Sequence, residues 1–133
     1  MRLALDTNRY ADLCRGNPRA VELVEAADAI WLPFVVVGEL RAGFAVGSQG
    51  PRQRSGAATV SLETWGGHPL RRRTDNLPHY ASVYRQLRKQ GTPIPTNDMW
   101  IAALVLQHSL TLYDRDRHFD RATDSGGATP RHA

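Results

Sequence analysis

The first and last of three short apolar runs in this chain stop abruptly at acidic residues, and stretches of helical character separate one run from the next. Residues 2 to 5 form the first run, which breaks at Asp6-Thr7-Asn8 in the manner of a buried strand delivering polar side chains to the edge of a sheet. A second run covers residues 29 to 32, and Leu110 to Tyr113 form the last, leading straight into Asp114-Arg115-Asp116-Arg117-His118-Phe119-Asp120. Between them, Asn17-Pro18 reads as a cap followed by a proline at the first helical position, with Ala20, Val21, Leu23, Val24 and Ala27 as the apolar face. Val35 to Ala42 reads as a helix closed by Gly43, with Glu39 set among Val36, Val37 and Leu40. Tyr80, Val83, Tyr84 and Leu87 recur at the spacing of one helical face, so His79 to Gln90 is expected to be a helix stopped by Gly91. Pro93 and Pro95 then lead to Thr96 or Asn97 as the cap of a helix over Met99 to Gln107, with Asp98 in its first turn. Strands alternating with helices predict an α/β fold, a parallel sheet flanked by helices, whose functional groups gather at the carboxyl ends of the strands.

At 133 residues the chain is sized for one domain, which we place over residues 1–120 with a polar, fraying tail over 121–133. Residues 47 to 76 show no sustained period and read as loop or poorly ordered chain. No run of about 18 apolar residues is present, and an acid arrives at position 6, too early for the apolar region of a signal peptide. The expectation is a soluble, cytoplasmic protein with no membrane partner. Cys14 has no second cysteine to pair with and is expected to be a small buried thiol. The formal charge of +4 suits a phosphate-rich partner, and all but Lys89 of the 17 basic side chains are arginines, whose planar forks fit phosphates and carboxylates.

The chemistry rests on the acids. Asp6 follows the first strand and Asp116 the last, while Glu39 and Asp98 lie on helices that can lean over the same edge. Ordinary structural uses stand beside this: Asp6 as the cap of a following helix, Asp98 as a favourable charge on a helix dipole, and Asp114, Asp116 and Asp120 as an acidic turn. Glu39 differs, since its apolar neighbours point it inward, where an unpaired carboxylate is costly. Carboxylates brought together repel and lose hydration, so their assembly calls for a cation; an oxygen-only donor set favours Mg²⁺ or Mn²⁺ over zinc. His68, His79, His108, His118 and His132 share no ligand spacing and read as surface or partly packed residues.

Four segments, Leu5-Asp6-Thr7-Asn8, Val37-Gly38-Glu39-Leu40-Arg41-Ala42-Gly43, Ile94 to Ala103 and Arg115-Asp116-Arg117-His118-Phe119, together resemble the PIN-domain signature of VapC-type toxins, in the right order across most of the chain. The resemblance implies a Rossmann-like α/β/α fold and a Mg²⁺- or Mn²⁺-dependent endoribonuclease that leaves 3′-hydroxyl and 5′-phosphate ends. It also implies a homodimer, with a cognate VapB-type antitoxin and RNA as partners. By position, Asp6, Glu39, Asp98 and Asp116 look like the family's acidic quartet, with Asp6, Asp98 and Asp116 on the metal and Thr7 and Asn8 supporting the first acid. Arg9, Arg15, Arg41, Arg115 and Arg117 are candidates for holding the RNA backbone. The chain departs from the pattern at Asp114, where the family has a hydroxyl residue, which points to a further carboxylate at the metal site. It departs again over residues 47 to 76 and after Asp120, which lack the expected amphipathic helix with its following strand and the closing apolar strand. Two other readings stand beside this one. A PIN domain that binds antitoxin or RNA without cutting is the first, and a haloacid dehalogenase-type phosphatase the second, although Asn8 occupies the place of that family's second aspartate.

Overall fold

The computed structural model describes residues 1–46, 68–70, 73–115, 117–124 and 126–133. Strand β1 (Arg2–Leu5) is followed by helices α1 (Thr7–Cys14) and α2 (Pro18–Ala26), then by β2 (Ala29–Pro33) and α3 (Phe34–Val46). β3 (His68–Leu70) and a 3₁₀ turn (Thr74–Asn76) precede the long helices α4 (Leu77–Gln90) and α5 (Thr96–Gln107). β4 (Thr111–Tyr113), a second 3₁₀ segment (Arg117–Arg121) and β5 (Arg131–His132) complete the order. The strands form one sheet in the order β3-β2-β1-β4-β5, and every pairing is parallel.

β1 lies at the centre, and Leu3, Ala4 and Leu5 are all fully buried although successive side chains point to opposite faces. A strand buried on both faces requires helices on both, as the parallel α/β reading expects. The chain moves outward from β1 through β2 to β3 and then returns to the other side of β1 for β4 and β5. The direction of winding therefore reverses between β1 and β4, the place where open parallel sheets leave a crevice at their carboxyl ends. Leu5 pairs with Tyr113, so Asp6 and Asp114 emerge side by side there.

The helices form where their signals fall. Asn17 Oδ1 accepts from the backbone N–H groups of Arg19 (3.0 Å) and Ala20 (3.1 Å), capping α2 ahead of Pro18. α4 packs Val83 and Leu87 inward against α5, whose residues Ile101 to Val105 are buried without a break. A row of rings ties three helices together: Phe34 of α3 meets Trp100 of α5 edge-on at 5.6 Å, Trp100 stacks on Tyr80 of α4 at 4.1 Å, and Tyr80 stacks on Tyr84 at 6.4 Å. α4 ends where Gly91 turns left-handed (φ 69°), with the Thr92 N–H returning to the Leu87 carbonyl at 3.0 Å. A Cβ at Gly91 would meet nothing within 4 Å, so the cost of filling the position is conformational alone. Gly91→Ala is expected to lower stability by about 1 kcal/mol in urea titrations, with the dependence on urea concentration unchanged.

Several expectations need correction. α3 does not stop at Gly43 but continues to Val46, because a glycine permits a left-handed turn without imposing one. α1 was not anticipated beyond the possibility that Asp6 caps a helix. Residues 68–70, read as part of an irregular stretch, pair with β2 as an edge strand, the place in a sheet where a proline such as Pro69 is tolerated; residues 47–67 lie outside the described residues. The tail does more than fray: β5 pairs with β4, and Ala122 is fully buried. Backbone hydrogen bonds make that polar strand, which side-chain patterning does not reveal. Cys14 is exposed, not buried, at the last turn of α1. Among the described residues no helix is long and apolar enough to cross a membrane.

Candidate active site at the ends of β1 and β4

Asp6 ends β1 and caps α1. Its carboxylate is 6 % exposed, with Oδ1 accepting from the Arg9 N–H at 2.7 Å and Oδ2 from the Arg115 N–H at 3.2 Å. Its own N–H donates to the Tyr113 carbonyl at 3.3 Å, fixing the acid to the end of β4. Burial pushes its pKa above the ordinary carboxylate range, and the charge of neighbouring Asp114 adds to this; the two backbone N–H groups and Arg9 oppose it without cancelling it. Asp6 is thus both a helix cap and a desolvated acid, and the structural reading of the residue does not displace the chemical one.

Glu39 is exposed, contrary to the inward orientation expected of it. Two side chains hold it: the Thr7 hydroxyl donates to Oε2 at 3.0 Å and the Asn97 amide to Oε1 at 3.2 Å. Thr7 follows Asp6 and Asn97 precedes Asp98, so Glu39 is tied between the residues adjoining two other acids. Neither Thr96 nor Asn97 caps α5 through its side chain; Pro95 occupies the cap position, and Asn97 is turned to Glu39 instead. Asp98 sits half-buried in the first turn of α5, and His118 Nδ1 lies 3.2 Å from its Oδ2. Asn8 lies exposed on α1. Asp116 lies outside the described residues.

Asp114 is half-buried beside Asp6. Burial raises its pKa, against the opposing influence of His132, whose Nδ1 stands 2.8 Å from Oδ1. His132 Nε2 is 3.1 Å from Asp120, so one imidazole on β5 bridges two carboxylates of the segment after β4. His118 and His132 thus contact acids, a role that the absence of ligand spacing among the histidines did not suggest. Asp12, which nothing in the pattern singled out, is buried on α1 and accepts from Arg9 (3.2 Å), Arg15 (3.2 Å) and Arg115 (2.9 Å). Three arginines considered for RNA contact are therefore turned toward a carboxylate. The one sequence signal was their spacing: Arg9 and Arg15 stand three residues to either side of Asp12, within reach on a helix. Arg9 also stacks over Tyr113 at 4.5 Å and donates through Nε to the Asp114 carbonyl at 3.1 Å.

Residues 3–124 match the PIN domain family. The chain belongs to that family, and to its VapC-type branch. It is 33% identical to ribonuclease VapC1 of Haemophilus influenzae strain R2866, covering 90% of this chain and 91% of that protein. It is 30% identical to the plasmid stability protein StbB of Pseudomonas syringae pv. tomato, covering 86% and 87%. Among solved structures, VapBC-1 from nontypeable Haemophilus influenzae superposes with a TM-score of 0.76 at 27% identity, covering 91% of this chain and 92% of that one. The fold alone is shared with VapBC2 from Rickettsia felis, solved bound to a DNA fragment from its promoter: TM-score 0.80 at 18% identity, covering 100% and 98%. The VapC-type α/β fold expected from the sequence is the fold observed.

Among the described residues, no three His, Cys, Asp or Glu side chains converge closely enough to hold a metal ion. The donor chemistry nonetheless suits a hard divalent cation. Asp6 carries a desolvated carboxylate with one N–H on each oxygen, which leaves further lone pairs open, and Asp114 stands beside it as a second destabilised charge.

Proposed function

We propose that this protein is a Mg²⁺- or Mn²⁺-dependent endoribonuclease, the toxin of a type II toxin–antitoxin pair. The observation that carries the proposal is the placement of a desolvated Asp6 at the reversal of the sheet, next to Asp114 and coupled through Thr7 and Asn97 to Glu39 and Asp98. Asp6, Asp98 and Asp116 would hold the cation, with Glu39 near a water or a second ion and Asp114 as an added carboxylate. Such an ion, when bound, supplies Lewis acidity and charge neutralisation at the phosphate.

The chain's own residues do the rest. The two N–H groups on Asp6 favour its ionised form, offsetting part of the effect of burial, and fix the direction of the carboxylate. Thr7 and Asn97 hold Glu39 at the rim, where an exposed carboxylate can accept a proton from a water aligned with the scissile phosphate. His118 fixes the orientation of Asp98. Single-stranded or looped RNA is the substrate in this reading, because duplex RNA withholds its base edges in a narrow groove. A VapB-type antitoxin as partner is supported by a solved relative, VapBC-1 from nontypeable Haemophilus influenzae. A homodimer and a cytoplasmic location complete the proposal.

Incubation of the purified chain with a single-stranded RNA is expected to give internal cuts with 3′-hydroxyl ends in Mg²⁺ or Mn²⁺, none after chelation by EDTA, and recovery when Mn²⁺ is returned. Cleavage that survives EDTA would sink the metal-dependent reading. RNA retained but uncut under every condition would leave a PIN domain acting as a binding module.

A further inference from the structure

We propose that Asp12 is a positioning residue for Asp6, an inference that rests on the nuclease reading for its consequence. Asp6 is held by the backbone N–H groups of Arg9 and Arg115, and the side chains of those same two residues meet on Asp12. One buried carboxylate thereby organises the surroundings of another.

The two halves of this clamp are unequal. Arg9 lies in the first turn of α1, so its N–H reaches Asp6 Oδ1 through ordinary helix capping and needs no help. Arg115 lies 109 residues away on the bend after β4, and its N–H meets Oδ2 only if that bend is held in place. Its guanidinium approaches both oxygens of Asp12, at 2.9 and 3.0 Å, while more than half of the side chain stays exposed. Asp12 is only 5 % exposed and fixed on a helix, so it is the anchor and the bend is what it secures. Burial alone would raise the Asp12 pKa, but the hydrogen bonds and charges of Arg9 and Arg115 outweigh this and bring it below the ordinary range. The charge on Asp12 is therefore kept, and with it the link to Arg115. Loss of the link is expected to free Oδ2 of Asp6 while sparing Oδ1. A carboxylate held at one oxygen rotates, and a cation site built on it weakens.

The test uses the full chain with Asp12→Asn and Arg115→Met. The second variant removes only a largely exposed guanidinium and keeps an apolar stem, so folding is preserved even if the buried substitution unfolds the protein. Amide hydrogen exchange by NMR, in the absence of any metal, reads the two N–H bonds separately. The Arg115 amide is expected to exchange at least tenfold faster in both variants, with the Arg9 amide unchanged. Mn²⁺ affinity, read by electron paramagnetic resonance, is expected to fall about 10- to 100-fold, the usual consequence of losing a group that orients a ligand. A folded Arg115→Met protein with the parent's Arg115 protection, or with the parent's Mn²⁺ affinity, overturns the proposal. If the parent itself binds no Mn²⁺, the nuclease reading falls on that ground alone, and the amide exchange still decides whether Asp12 sets the orientation of Asp6.

Discussion

Asp6→Asn is expected to reduce Mg²⁺-dependent RNA cleavage by about three orders of magnitude, equivalent to about 4 kcal/mol of lost barrier lowering. The same substitution is expected to leave stability unchanged or slightly higher. Both results follow from one fact: the Asp6 carboxylate is buried next to Asp114, and its pKa is raised. A group whose folded-state pKa lies above its unfolded value binds more protons in the folded state across that window. The ionised form is therefore unfavourable for folding, and the stability associated with the protonated form is lost as pH rises through the folded-state pKa. Asparagine keeps an oxygen to accept the Arg9 N–H, so the cap survives; it loses the bond from the Arg115 N–H, a cost that removal of the desolvated charge offsets. In the absence of metal, parent and variant should thus converge in stability at acidic pH, with the variant equal or ahead at neutral pH. Cleavage by the parent should run the other way, falling as acidification protonates the carboxylate that faces the cation. Thermal melts of both proteins across pH, paired with cleavage rates, check the two signs together. An Asp6→Asn protein that melts well below the parent at neutral pH would show the acid to be structural first, and full cleavage by it would remove Asp6 from the chemistry.

Phe119→Ala is expected to cost about 3–5 kcal/mol in denaturant unfolding, a large share of the stability of a domain this size. Phe119 is 1 % exposed and sits in the 3₁₀ segment after β4. Its neighbour His118 contacts Asp98, and Asp120 on its other side contacts His132. The ring therefore pins to the core the stretch that carries two contacts to the acidic edge. Phe119→Leu should cost less, because a leucine refills part of the volume. If the alanine variant stays as stable as its parent, that segment is not anchored through Phe119.

The sequence reading reached the parts of the fold that side chains announce. β1, β2 and β4 are legible as apolar runs because both faces of a central parallel strand are buried. α2 is legible from Asn17-Pro18, and α4 from the recurrence of Tyr80, Val83, Tyr84 and Leu87. β3 and β5 were hidden, since edge strands of three and two residues are specified by backbone pairing and carry little hydrophobic pattern. α1 was hidden because Asn8, Arg9 and Asp12 dilute its apolar face, and because its cap is the very acid assigned to chemistry. Of the acidic edge, Glu39 is bonded to Thr7 and Asn97, the chain neighbours of Asp6 and Asp98, although local apolar neighbours misled the reading of Glu39, which its helix turns to the rim. Asp12 was not legible, because a lone aspartate within a polar helix looks solvated until Arg115 arrives from the far end of the chain.

The two margins of the sheet share a property that bears on how the protein meets others. One is a three-residue strand interrupted by Pro69, and the other a two-residue strand bearing Arg131 and His132. Among the described residues, an incoming extended peptide would find only two or three residues of main-chain ladder to continue on either flank. Flanks this short disfavour docking by strand addition.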